Sequence, residues 1–112
     1  MRLFIYAVFD SASGVYDRPW VAQADAAAIR SFGDLAANAD HMVGMHPEHF
    51  SLFRLGTYDD NTAKIEPEDA VCIARAHELV AAARQIPPGF LQDGNGGLVE
   101  LGKELAEVAE NA

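Results

Sequence analysis

Cysteine is almost absent: Cys72 is the only one in 112 residues. That excludes a disulfide within the chain and a thiolate metal cluster. Read on an apolar helix face, Cys72 is a small buried hydrophobe. Basic residues are scarce too. Eight Lys and Arg stand against 17 Asp and Glu, a net charge of −9, and no basic run gathers them. Nucleic-acid affinity draws chiefly on cations that neutralise phosphates, so tight, sequence-independent coating of DNA or RNA is not expected. The charge suits protein partners, including ones that themselves hold DNA. Long apolar runs are missing. "LFIYAVF" has seven residues and ends at Asp10, far short of a bilayer span. No small-residue cleavage site closes it as a signal peptide. The expectation is a cytoplasmic protein with no membrane partner. A Gly-rich phosphate loop, a nucleophile elbow and a Cys/His triad are all lacking, so neither an enzyme nor a cofactor is expected.

What remains is globular: half the residues are hydrophobic and 22% are charged, at a length that makes one domain. "LFIYAVF", residues 3–9, reads as a buried strand. "DSASG" is a turn in which Gly14 is free to take positive φ. "VYDRPWVA" is a second strand, kept at an edge by Pro19, and the two form an antiparallel hairpin. Asp25 is placed to N-cap a helix over "AAAIRSFGDLAANA", with Ile29, Phe32, Leu35 and Ala36 on its apolar stripe. Gly33 inside that helix suggests a close approach to the sheet. Asn38 to Met45 reads as a loop or short helical turn.

"HFSLFRLGTYDD" reads as a central strand. Phe50, Leu52 and Arg54 share one face, Phe53 and Leu55 the other, and Gly56 marks a bulge or strand exit. Phe32 and Phe53 are expected in the core between helix and sheet. "DDNT" is a turn, with Asn61 tolerant of left-handed geometry. "AKIE" is a short last strand with Lys64 suited to an edge. Pro67 opens a second helix from about Glu68 to Gln85, with Ile73, Ala76, Val80 and Ala83 buried. The order is ββαββα, an α+β domain with a small antiparallel sheet and helices packed on it. That core takes residues 1–86, a Pro/Gly-rich linker residues 87–97, and a C-terminal amphipathic helix residues 98–112. Leu98, Leu101, Leu105 and Val108 form its apolar stripe, a candidate docking helix that leaves self-association open.

Four groupings bear on chemistry. His41, His46 and His49, with Asp40 and Glu48, hold metal-ligand side chains, but no helical i, i+4 pair, and a solvated, turn-forming loop explains them better. Asp59 and Asp60 are adjacent on a strand end and point apart, which suits a turn better than an acid/base pair. Arg30 is free to bind an anion or to pair with Asp34 four residues on. Tyr16, Arg18 and Trp20, with Pro19, make a candidate contact patch for a partner or nucleic acid. Trp20 serves equally well as a cap on the core.

The pieces "GVYDRPW", "AIRSFGDL" and "HPEHFSLFRLGTYDD", followed by an Asn-Thr turn, stand in an order that resembles the small non-structural protein of the gokushoviruses. These are single-stranded DNA phages of the family Microviridae. Members share a "YD…P" hairpin, an "AIR-F-DL" helix and a "HPEDF-L-LG-YD" strand. Here His49 stands where Asp is frequent, and "NTAKIE" where Gly is common near Ala63. The likeness covers about residues 1–66. It implies a non-structural role in the switch from double-stranded replication to single-stranded genome synthesis and packaging, in the cytoplasm of a bacterial host. The acidic charge points to the phage replication-initiator protein or the procapsid as partner. Two other classes stay open: direct binding of single-stranded DNA through exposed aromatics, with Tyr6, Tyr16, Trp20 or Phe53 as stacking platforms, and a small metal-dependent hydrolase built on the His cluster.

Overall fold

The computed structural model describes residues 1–84, 90–92 and 98–100. The chain divides into two compact units, Met1–Val80 and Ala81–Ala112. The first unit is an α+β domain built on one antiparallel sheet.

Its longest early strand, β1 (Arg2–Asp10), turns at Gly14, whose φ of 76° is left-handed. The returning chain pairs with β1 twice, as β2 (Val15–Tyr16) and β3 (Trp20–Ala22). The break between them falls at Asp17–Pro19, where a ladder cannot accept a proline nitrogen. Helix α1 (Asp25–Ala37) follows, then the short α2 (Met42–Met45) and a 3-10 turn at Pro47–His49. Strand β4 (Phe50–Asp59) runs antiparallel beside β1, and β5 (Ile65–Arg75) beside β4, giving the order β2-β1-β4-β5 with β3 also on β1. Helix α3 (Ala76–Arg84) begins where β5 ends.

The core lies on one side of this sheet. Tyr6, Val8, Phe50 and Leu52 from β1 and β4 bury against Ala28, Phe32 and Ala36 of α1, Val43 of α2 and Ala76 of α3. Tyr6, Phe32 and Leu52 are its largest fully buried side chains. The expected stripe on α1 is present, shifted by one position: Ala28 joins Phe32 and Ala36, while Ile29 and Leu35 flank them.

Several local expectations give way. Pro67 opens no helix. It sits in β5 opposite Gly56, and the strand continues through Val71, Cys72 and Ile73. β-Branched side chains favour a pleated surface, and Pro67 is tolerated there because β5 is the sheet's border. Cys72 therefore lies on a strand, its thiol 3.6 Å from the Ala74 carbonyl. Of the stripe expected on a helix from Glu68, Ile73 is in β5, Ala76 is buried in α3, and Ala83 is exposed. Phe53 faces away from the helices, because it pairs with Ala7 while its neighbour Leu52 fills the core. The Cβ position of Gly33 meets nothing nearer than Leu79 of α3 at 3.9 Å, so no close approach to the sheet requires a glycine there. At the Asp59 turn the left-handed residue is Ala63, φ 60°, rather than Asn61.

The bulge expected at Gly56 is real. Pairing to β1 jumps from Tyr6↔Arg54 to Ile5↔Gly56, leaving Leu55 as the extra residue. A Cβ on Gly56 would stand 2.4 Å from the Glu66 carbonyl oxygen, so β5 approaches β4 closely only because glycine is there.

In the second unit, β6 (Phe90–Gln92) pairs antiparallel with β7 (Leu98–Glu100). Leu98 thus stands in a strand, where the first turn of an amphipathic helix was expected. Leu101, Leu105 and Val108 lie outside the described residues.

Candidate functional site

A polar cluster stands on the helix-covered side at the start of α1. Asp25 was expected to cap that helix. Ala24 holds the cap position instead, with no side-chain bond. The Asp25 carboxylate accepts from the Tyr6 hydroxyl at 2.7 Å and from Arg54 Nη1 at 2.8 Å. The Arg54 Nε lies 3.5 Å from the Glu68 carboxylate, buried and without a hydrogen bond, and the guanidinium stands 5.5 Å over the Phe4 ring. Burial, then the bond to Asp25, pushes the Tyr6 phenol above its ordinary range. The bond to Asp25 holds Arg54 still more firmly protonated. The cluster ties β1, α1, β4 and β5 together through the Tyr6–Asp25, Arg54–Asp25 and Arg54–Glu68 contacts, and so acts as a brace between four elements. Its signal in the sequence was Arg54, a cation on the same face as Phe50 and Leu52. A charge there demands a partner, but nothing local names Asp25, 29 residues away.

The opposite face of the sheet carries a second grouping. Phe9, Tyr16 and Phe53 form an aromatic trio, with ring centroids 4.7, 6.0 and 5.5 Å apart and Phe53 edge-on to both others. Farther along, Ile5, Val21, Tyr58 and Ile65 line a shallow depression of about 250 Å³ with Pro19 and Trp20. Tyr16 is 45% and Ile65 62% exposed. Alternation produces this face: Ile5, Ala7 and Phe9 point away from the core that Phe4, Tyr6 and Val8 enter. Phe9 joins Tyr16 and Phe53, which were expected as stacking platforms. Its signal was the unbroken apolarity of "LFIYAVF", which supplies two greasy faces and not one.

The other candidates do not converge on one patch. Tyr16 stands on the aromatic face, and Arg18 is exposed beyond it, its backbone N–H donating to the Asp17 carboxylate at 2.7 Å. Trp20 leans the other way, half-buried beside the core with its ring 6.1 Å from Tyr6. Arg30 is exposed on α1, and among the described residues neither Asp34 nor any other carboxylate pairs with it. His41 caps α2, its Nδ1 accepting from the Val43 N–H at 3.2 Å. The His46 and His49 rings lie 6.2 Å apart. Among the described residues, no group of three or more His, Cys, Asp or Glu side chains is placed to hold a metal ion. Asp59 accepts from the Asn61 N–H at 2.9 Å, and its carbonyl from the Ala63 N–H at 2.8 Å, closing the turn. Asp60 pairs with the Met1 amino group. No described helix is long and apolar enough to cross a membrane.

These features define a small α+β domain, braced by ion pairs on its helical side and bearing an aromatic cluster on the other face of its sheet. A family model described as "Phage ORF5 protein" matches residues 3–79, which takes in every strand and nearly all the helical cover of the first unit. The chain belongs to that phage protein family. No curated protein and no solved structure matches it.

Proposed function

We propose that this chain is a non-structural accessory protein of a single-stranded DNA phage of the gokushovirus group. It works without a catalytic centre or a cofactor, in the cytoplasm of the infected bacterium. Through the replication-initiator protein or the procapsid, it aids the switch from double-stranded replication to single-stranded genome synthesis and packaging. The observation that carries this reading is the phage family match over residues 3–79, to which the order of the "YDRP", "AIRSFGDL" and "HPEHFSLFRLGTYDD" pieces adds the group. A net charge of −9 favours protein partners over phosphates. The test is a phage in which this reading frame is interrupted early. Replicative double-stranded DNA should accumulate while single-stranded genomes and filled particles fall. An unchanged ratio of single- to double-stranded DNA would remove the proposal.

One observation favours a second reading, direct binding of single-stranded DNA. The Phe9, Tyr16 and Phe53 rings share one sheet face, and bases stack on aromatic platforms. Filter binding of a thymidine oligonucleotide over a salt series separates the two. Retention lost in Tyr16→Ala and Phe53→Ala supports stacking, and no retention even at low salt supports protein partners.

A further inference from the structure

On the helix-covered side, between the β1–β2 hairpin and the α1–α2 corner, the first unit holds a cleft of about 580 Å³. That is room for a small ligand or for one or two side chains of a peptide. Its floor is apolar, made by Val8, Leu35, Val43 and Phe50. Val15 and Met42 stand at its mouth, 59% and 61% exposed. Three carboxylates line it, Asp10, Asp17 and Asp40, and no Lys or Arg does. Asp10 is engaged in its own turn, accepting from the Ala12 N–H at 2.9 Å and the Ser13 hydroxyl at 3.0 Å. The Asp40 carboxylate has no hydrogen-bond partner among the described residues.

The floor is nearly closed, Val43 and Phe50 being 3% and 9% exposed, so the apolar surface left in water is at the mouth, on Val15 and Met42. Covering it is favourable, and methionine at a rim adapts to side chains of different shape. The acidic lining selects the charge of the occupant. A phosphate entering here meets carboxylates and no fixed cation, whereas a lysine or arginine finds Asp17 and Asp40 exposed and facing it. We infer that this cleft docks a short peptide segment of a partner protein, one that carries an apolar side chain flanked by basic residues. The apolar side chain packs on Val15 and Met42 at the mouth, and its basic neighbours meet the acidic rim. This deepens the protein-partner reading above and rests on it.

The test is a titration of the ¹⁵N-labelled full chain, followed by two-dimensional NMR, with acetyl-Lys-Lys-Phe-Lys-Lys-amide and with the same peptide bearing glutamates. The basic peptide should move the amides of Val8, Val15, Leu35, Met42 and Val43, and the acidic one should not. The double variant Asp17→Lys, Asp40→Lys should weaken binding about tenfold or more at low salt with an unchanged melting curve. Met42→Lys, at an exposed position, serves as a second variant should the first melt early, and it should leave no saturable shift at Val15 or Val43. Equal response to both peptides, shifts scattered over the surface, or shifts gathered at Phe9 and Phe53 on the other face of the sheet would each overturn the cleft. The partner reading falls separately, on the ratio of single- to double-stranded DNA in infected cells.

Discussion

Phe32 and Phe53 are both large aromatics that the sequence alone would bury together, and the sheet separates them. Phe32 has no exposed surface and fills the space between α1 and the sheet. Phe53 lies on the other face, edge-on to Phe9 and Tyr16. Truncating a fully buried Phe to Ala costs about 3–5 kcal/mol, the lost transfer energy plus the cavity left behind. A unit of this size has a net stability on the order of 4–12 kcal/mol. At 4–8 °C per kcal/mol, Phe32→Ala should lower the melting temperature by roughly 12–40 °C. Phe53→Ala leaves no closed cavity. It gives up part of an exposed surface, about 1 kcal/mol, and two aromatic contacts of roughly 0.5–1 kcal/mol each. Its melting temperature should fall by about 8–24 °C, clearly less than that of Phe32→Ala in the same assay. Thermal unfolding of both variants, followed by circular dichroism at 222 nm, decides the matter. A Phe53→Ala chain as damaged as Phe32→Ala, or a Phe32→Ala chain melting within a few degrees of the parent, would refute the assignment of faces.

Ala63→Gly should raise stability by roughly 0.5–1 kcal/mol, because the left-handed region penalises a Cβ and not a glycine; urea denaturation measures it. Gly33→Ala should also stabilise, by about 1 kcal/mol of helix propensity, and an earlier melt would mean that α3 packs closer than 3.9 Å. Gly56→Ala should do the reverse, forcing β5 off β4 at Glu66, with loss of amide protection from hydrogen exchange along Ile65–Val71 as the readout. The raised phenol of Tyr6 sets a pH dependence with a definite sign. The neutral form is favoured in the folded state, so its stabilisation is complete below the unfolded tyrosine value near 10.0. It is lost as pH rises from there toward the folded value. Denaturation midpoints should therefore drop above about pH 10, and by less in Tyr6→Phe.

Local chemistry was legible and long-range chemistry was not. The hairpin at Gly14, helix α1, the central strand and its bulge all follow from turn residues, 3.6-residue spacing and alternation, which act within a few positions. The error at Pro67 has a definite origin. Proline followed by two acidic residues is how a helix opens, and Ala76 and Val80 continue the spacing. What makes Ile65–Arg75 a strand is the free edge of β4, which no window around Pro67 contains. Asp25 is the same case in charge rather than hydrogen bonding. Its carboxylate suits a cap, and a guanidinium 29 positions later claims it. Tyr16 and Trp20, four positions apart, would share a face in one unbroken strand; the break at Asp17–Pro19 shifts the register on β1 from Phe9↔Tyr16 to Tyr6↔Trp20 and sends them to opposite faces. Arg30 adds the solvent side of a helix.

The two borders of the sheet have a consequence for how this protein meets other molecules. Along one border the pairing of β1 is split between β2 and β3, only two and three residues long, with Pro19 in the gap. Along the other, β5 presents Pro67 among Glu66, Glu68 and Asp69. Short pieces, prolines and charges on a border all resist the addition of a further strand. Copies crowded together in an infected cell are thereby kept from stacking edge to edge into fibres, even though the aromatic face stays available. Along these stretches the main chain is poorly placed to recruit a further strand, so recognition there falls to side chains.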